Sequence, residues 1–151
     1  MALLPSCVFC KILSGESEAS FIYKDDLVTA FMDIQPLIRG HLLVIPNHHC
    51  SSLDELDDHV GSRMFVVARQ IVKAIHRSEL RSEGVNLYLA DGAEAGQTVF
   101  HCHLHVVPRY VGDGLKILFP ASYGHRPTRR ELDEIAEQLQ NAMTQGGSSK
   151  V

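Results

Sequence analysis

Residues 100–107 read Phe100-His101-Cys102-His103-Leu104-His105-Val106-Val107. Side chains on a β-strand alternate between its two faces. A strand here therefore sends Phe100, Cys102, Leu104 and Val106 to one side, and His101, His103 and His105 to the other. The first set makes an apolar core face. The second makes a row of imidazoles about 6.5–7 Å apart. The row belongs to a wider surplus: the chain has nine His against six Phe, four Tyr and no Trp. Packing has little use for so many imidazoles. Their chemistry is proton transfer, phosphate contact, metal ligation or nucleophilic attack.

Two ligand classes fit such a row. Two neighbouring rings of a His-x-His pair can converge on a metal. All three cannot easily do so, because the outer Cα atoms of a straight strand lie about 13 Å apart, while zinc–nitrogen bonds are about 2.1 Å. An extended anion lying along the row fits better, and a neutral imidazole can attack phosphorus directly. The preceding loop, Ala93-Glu94-Ala95-Gly96-Gln97-Thr98, supports phosphate. Gly96 would let backbone N–H groups approach an anion, and Gln97 and Thr98 would add side-chain donors.

The rest of the chain reads as one domain over residues 1–145 with a flexible tail over 146–151. Residues 7–14 suit a short helical turn ended by Gly15. Residues 21–32 read as a hairpin turning at Lys24-Asp25-Asp26, and residues 41–45 as an apolar strand stopped by Pro46. Ser52-Leu53-Asp54-Glu55 has capping-box spacing. It precedes a long helix with Val60, Met64, Val67, Ile71 and Ile75 on one face. Residues 84–89 and 99–107 read as strands, the second closed by Pro108. Thr128 to Glu131 is a second capping box, opening a final helix with Leu132, Ile135, Leu139 and Met143 on one side. This order predicts an α+β domain, with a mostly antiparallel sheet packed against one main helix.

Composition excludes several classes. The net charge of −4 gives no electrostatic reason to bind nucleic acid. No apolar run is long enough for a membrane span. The first ten residues lack the basic start of a secretory signal. Four Cys are too few for a disulfide scaffold, so Cys7, Cys10, Cys50 and Cys102 read as reduced thiols of a cytoplasmic protein.

The run Gly96-Gln97-Thr98-Val99-Phe100-His101-Cys102-His103-Leu104-His105-Val106-Val107-Pro108-Arg109 resembles the signature of the histidine triad (HIT) family. Phe31-Met32-Asp33-Ile34 is similar to the family's nucleoside-binding strand end. Gly40-His41-Leu42-Leu43-Val44-Ile45-Pro46 is similar to its next strand. The resemblance covers about residues 7–110. It implies a HIT-like α+β fold: a mostly antiparallel five-stranded sheet with one long helix, plus a C-terminal helix, in a homodimer. It also implies a purine nucleotide as substrate, cleaved at the α-phosphate. His103 would attack phosphorus and form a nucleotidyl-imidazole that water hydrolyses. His105 would contact the phosphate and help protonate the leaving group, and His41 would brace the row. Gly96, Gln97 and Thr98 would stabilise phosphate charge, while Asp33, with Ile34 beside it, would receive the ribose hydroxyls.

Within the resemblance, His105 favours hydrolysis, because uridylyltransferase relatives carry Gln there. Ala90 departs from it, since relatives commonly carry an amide at that position. Asp91 or a backbone group is the replacement to look for. The leading reading is a hydrolase of adenosine monophosphate joined to an amine. A dinucleoside polyphosphate hydrolase and a non-catalytic nucleotide-binding protein are the alternatives.

Cys7-x-x-Cys10 has metal-ligand spacing, and His48-His49 adds a candidate. In relatives with such a cysteine pair, the first triad histidine and a histidine after the preceding strand complete a zinc site. The ligands implied are Cys7, Cys10, His49 and His101, with His48 as the alternative to His49. Such a Cys₂His₂ set is saturated, so the zinc would be structural.

Overall fold

The computed structural model describes residues 3–146. Of the flexible tail expected over 146–151, residues 147–151 lie outside the described residues. The order of elements is helix α1 (Val8–Ser14), strands β1 (Phe21–Lys24), β2 (Val28–Met32) and β3 (Leu42–Pro46), helix α2 (Asp58–Arg77), strands β4 (Gly84–Tyr88) and β5 (Leu104–Arg109), and helix α3 (Arg129–Gly146). The strands form one five-stranded antiparallel sheet in the order β1-β2-β3-β5-β4. This is the α+β architecture the element order implied.

Alternation along the three inner strands divides the sheet into two working faces. Val28, Ala30, Leu42, Val44 and Val106 pack against Met64, Val67, Ala68, Ile71 and Ile75 of α2. Full burial of a large aliphatic side chain stabilises the fold by about 1.5–3 kcal/mol. This cluster is therefore the main anchor of α2. Phe31, Leu43 and Ile45 point to the opposite face and pack under Phe9, Cys10 and Ile12 of α1 and the preceding Cys7. With both faces covered, every residue of β3 is buried, which explains its unbroken apolar run. Asp33, His41, His103 and His105 continue the α1-side positions just beyond or within these strands. The functional face is thus set by strand parity.

The hairpin turns where expected. Asp25 Oδ1 accepts the N–H groups of Leu27 and Val28 at 2.9 and 2.8 Å. Tyr23 Oη and Arg63 Nε donate to its other carboxylate oxygen. These bonds hold the Asp25 carboxyl down at about 2 against the opposing effect of burial.

Two expectations are corrected. Ser52 does not cap the long helix. It precedes an isolated 3₁₀ turn, Leu53–Glu55, after which Leu56 is extended. The cap is Asp57, whose carboxylate accepts from the N–H groups of His59 and Val60. A cap is chosen by where helical backbone begins, and two cap-type residues five positions apart look alike in sequence. The histidine strand also starts later, at Leu104 rather than residue 99. Before it, Cys102 N donates to Cys50 O and His101 N to Val99 O, so these amides leave the ladder. Phe100 is accordingly 52% exposed instead of lying in the core. The strand then runs through Pro108, because its β3 neighbour has already ended opposite Val106 and needs no N–H there.

The chain separates into two compact units, with the first ending at Leu115. In the second, Thr128 and Glu131 form the reciprocal cap read from the sequence: Thr128 N donates to Glu131 Oε2 at 2.7 Å, and Glu131 N to Thr128 Oγ1 at 3.3 Å. No helix among the described residues is long and apolar enough to cross a membrane.

Gly40, immediately before His41, has φ of +93°. An added Cβ would press into Leu80 and lie 3.1 Å from Pro108 Cγ. Gly40→Ala is expected to lower stability by about 1–3 kcal/mol. A urea melt checks this: the midpoint should fall while the slope is unchanged.

Candidate active site

Four imidazoles are held on the α1-side face, and each has one ring nitrogen assigned by its partner. His103 Nδ1 lies 2.6 Å from the carbonyl oxygen of His101. A carbonyl only accepts, so Nδ1 carries the proton and Nε2 keeps its lone pair. His41 Nδ1 accepts the backbone N–H of Leu37 at 3.1 Å. Its proton is therefore on Nε2, which faces His105 Nδ1 at 2.8 Å. His105 in turn carries its proton on Nε2. His101 Nε2 donates to the carbonyl of Pro46 at 3.0 Å, which leaves Nδ1 free to ligate. The fold thus presents one bare nitrogen at His103 and one N–H at His105, side by side, with ring centroids 4.8 Å apart.

Burial and neighbouring imidazoles push the His105 pKa down to about 4, against the attraction of Asp33. Burial also lowers that of His41, again opposed by Asp33. Asp33 Oδ2 stands 3.6 Å from His41 Nδ1, and its Oδ1 accepts the Gln35 N–H. Asp33 is therefore fixed while keeping an accessible edge.

A cleft of about 1080 Å³ opens on this face, with His41 set behind its lining residues. Asp33, Ile34, Thr98, His103 and His105 stand along it, and Val8, Phe9, Phe21, Phe31 and Leu43 give it an apolar wall. Ile34 is 95% exposed, as suits a residue waiting for an apolar ligand surface. Phe9 sets its ring edge-on to His103, with centroids 5.2 Å apart.

The loop before the triad is held by its own hydrogen bonds. Gly96 takes the left-handed conformation, with φ of +90°. Its N–H and that of Gln97 bond within the loop, to Ala93 O and Gly92 O. The Gln97 side chain is buried and engaged at both ends: Oε1 accepts from Gly92 N, and Nε2 donates to Ser51 O and Val99 O. The Gly96 and Gln97 groups are thus engaged within and beside the loop, and Thr98 is its member in the cleft lining. Ala90 is not among the lining residues. Asp91 is drawn away from that position, since its Oδ1 accepts the Leu53 N–H at 2.9 Å.

Sequence reasoning missed Tyr88. It pairs directly with His105 across β4 and β5. Its ring lies 4.1 Å from the His105 ring with an interplanar angle of 9°. The available signal was register: antiparallel pairing of Gly84 with Arg109 sets Tyr88 against His105.

Behind the cleft, Cys7, Cys10, His49 and His101 bring one donor atom each within 4.8 Å of all the others. Cys7 Sγ and Cys10 Sγ both stand 3.6 Å from His101 Nδ1, and Cys10 Sγ is 3.4 Å from His49 Nδ1. A tetrahedral ion with Zn–S of about 2.3 Å and Zn–N of about 2.1 Å needs S···N edges of about 3.6 Å. The donor set fits that ion in chemistry and spacing. His49, not His48, is the cluster member. His59 and His76 are exposed, as expected for residues outside any motif.

A HIT domain model matches residues 14–112, the span that carries the sheet and the histidine row. The chain belongs to the HIT domain family. A HIT-like protein of uncharacterised function from Borreliella burgdorferi is 48% identical over 109 residues, covering 72% of this chain and 78% of the relative. Adenylylsulfatase HINT3 from Arabidopsis thaliana is 39% identical over 137 residues, covering 88% of this chain and 65% of that protein. The crystal structure of a zinc-bound histidine triad family protein from Mycobacterium smegmatis superposes with a TM-score of 0.71 at 40% identity, covering 91% and 97% of the two chains. The cysteines of the metal-type cluster precede the matched span, Cys7 as the residue before α1 and Cys10 within it.

The low His105 pKa gives a pH prediction. An unfolded histidine titrates near 6.5, so between about 6.5 and 4 the unfolded chain binds more protons than the folded one. Stability contributed by neutral His105 is full above that window. It is lost as pH falls through it, by roughly 1–3 kcal/mol. Melting temperature should fall over this range in the unmodified chain, and less steeply in His105→Asn at matched metal content. Equal slopes would contradict the assignment.

Proposed function

We propose that this HIT-domain chain hydrolyses the bond between the α-phosphate of a nucleoside monophosphate and an amine-type leaving group. The observation that carries the reading is the bond from His103 Nδ1 to the His101 carbonyl, which leaves Nε2 as a nucleophile beside a cleft with room for a nucleotide. The apolar wall suits a base, and Asp33 suits ribose hydroxyls. His103 Nε2 attacks phosphorus, the leaving-group bond breaks, and a nucleotidyl-imidazole forms. Water then attacks phosphorus, releasing the nucleoside monophosphate and restoring His103.

His105 Nε2–H hydrogen-bonds a phosphate oxygen or the departing nitrogen. To release its proton outright, the His41–His105 pair must first gain one. His41 Nδ1 accepts the Leu37 N–H and has no proton to pass on. An arriving phosphate anion favours that extra proton.

Charge favours the amine conjugate over a dinucleoside polyphosphate. The cleft lining includes Asp33 and Glu18, and no Lys or Arg is among its described residues. One α-phosphate can be met by His105 and nearby dipoles, but a polyphosphate chain would face carboxylates without a counter-cation. The name of the Arabidopsis relative, an adenylylsulfatase, is in keeping with hydrolysis at an adenylyl group.

In this reading Cys7, Cys10, His49 and His101 hold a zinc ion. When bound, the ion supplies a rigid cross-link with no open coordination position. The four residues would tie α1 to the segment leading into β5.

Adenosine phosphoramidate should be turned over faster than diadenosine polyphosphates. His103→Ala should lower that turnover by roughly 10³-fold or more while keeping AMP affinity within a few-fold. Turnover left intact in His103→Ala would contradict the mechanism. Chelation should lower the melting temperature and spare the turnover of chain that stays folded. Loss of turnover with the fold intact would point instead to a metalloenzyme.

A further inference from the structure

We propose that Tyr88 is a positioning residue for His105, its ring fixing the plane of the imidazole so that Nε2–H is aimed at the leaving group. The inference rests on the phosphate-cleaving reading above and names a residue that the histidine row does not contain.

The His41 bond holds His105 at one atom, Nδ1. A single hydrogen bond fixes that atom and leaves the tilt of the ring about it comparatively soft. Tyr88 restrains that tilt. Its ring is nearly parallel to His105, at 9° and 4.1 Å. The other rings beside His105 do not share that plane so closely: His41 is inclined at 29° with centroids 5.1 Å apart, and His103 at 60°. An in-line bond at one edge and a flat surface on one face together determine where the opposite nitrogen points.

Cross-strand pairing makes the stack. Tyr88 and His105 are direct partners in the antiparallel β4–β5 ladder, so their side chains rise together from one face. Within the single chain Tyr88 is 40% exposed at the end of edge strand β4, outside both core clusters. Its contact is directed at the one imidazole in the row with an N–H free for the substrate. The titratable groups around His105 are His41, His103, Asp33 and Tyr88 itself. Of these, Tyr88 can be changed without removing a charge or a proton from the relay at neutral pH. An electron-rich ring against the imidazole face also favours the protonated form through cation–π attraction when the pair gains its proton.

The role predicts a particular kinetic pattern. A misaimed donor harms departure of the leaving group more than binding, and harms poor leaving groups most. The test compares the unmodified chain, Tyr88→Phe and Tyr88→Ala on two AMP conjugates: an alkyl phosphoramidate, whose amine leaves poorly, and the p-nitrophenyl ester, whose phenolate leaves readily. Tyr88→Phe keeps the stack and should retain kcat within about twofold. Tyr88→Ala should lower kcat on the phosphoramidate on the order of tenfold or more, with KM, AMP affinity and melting temperature little changed. Its loss on the p-nitrophenyl ester should be markedly smaller.

Equal losses on both conjugates would overturn the proposal, as would a rise in KM at constant kcat. So would a defect in Tyr88→Phe as large as in Tyr88→Ala, which would assign the role to the hydroxyl. Turnover of neither conjugate by the unmodified chain would contradict the phosphate-cleaving reading itself, and this inference with it. AMP binding measured in parallel separates that failure from loss of the nucleotide site.

Discussion

The bond from His103 Nδ1 to the His101 carbonyl, 2.6 Å long, is the constraint on which the site depends. It removes one of the two ring nitrogens of His103 from chemistry and leaves the other bare. It goes with a backbone that is out of the ladder at residues 101–103, where the His101 carbonyl receives a side chain of its own segment. β5 consequently begins only at Leu104. The irregularity in the strand is therefore part of the site's construction. Its cost is limited by bonds to other segments, including Cys102 N to Cys50 O at 2.7 Å.

The same short segment links two clusters of different character. His101 is fully buried, with Nδ1 toward Cys7 and Cys10. His103, two residues on, opens to the cleft. Phe9 lies on α1 between the two cysteines and touches the rings of both histidines, with centroids 5.8 Å from His101 and 5.2 Å from His103. Fixing α1 thus also fixes one wall of the cleft. On the other side, His41 follows a left-handed Gly40 and enters β3, buried on both faces. The reactive groups are mounted on or beside the inner strands of the sheet, while much of the apolar wall of the cleft comes from α1 and β1.

Much of this was legible in the chain because it rests on alternation. The apolar run at residues 42–45 and the helical spacing of Met64, Val67, Ile71 and Ile75 each gave an element and a buried face. The interleaving of His with apolar residues placed a site on one side of the sheet. What could not be read depends on contacts between distant segments. The cap moved to Asp57 because an isolated 3₁₀ turn separates Ser52 from the helix. Gln97 reads as a phosphate donor from its loop, but its amide is buried under Ser51 and Val99. Tyr88 looks like any strand aromatic until the β4–β5 register is known. The protonated nitrogen of each histidine is set by carbonyls and amides such as Pro46 O and Leu37 N, which carry no signature in sequence.

The central claim is that the fold assigns one nitrogen of each site imidazole to structure and the other to chemistry. Long-range ¹H–¹⁵N correlation spectra of the histidine rings at neutral pH measure it directly. The account predicts a proton on Nδ1 with an unprotonated Nε2 at His103, and the opposite tautomer, Nε2–H, at His41 and His105. A spectrum showing His103 as the Nε2–H tautomer would leave no lone pair facing the cleft and would contradict the account.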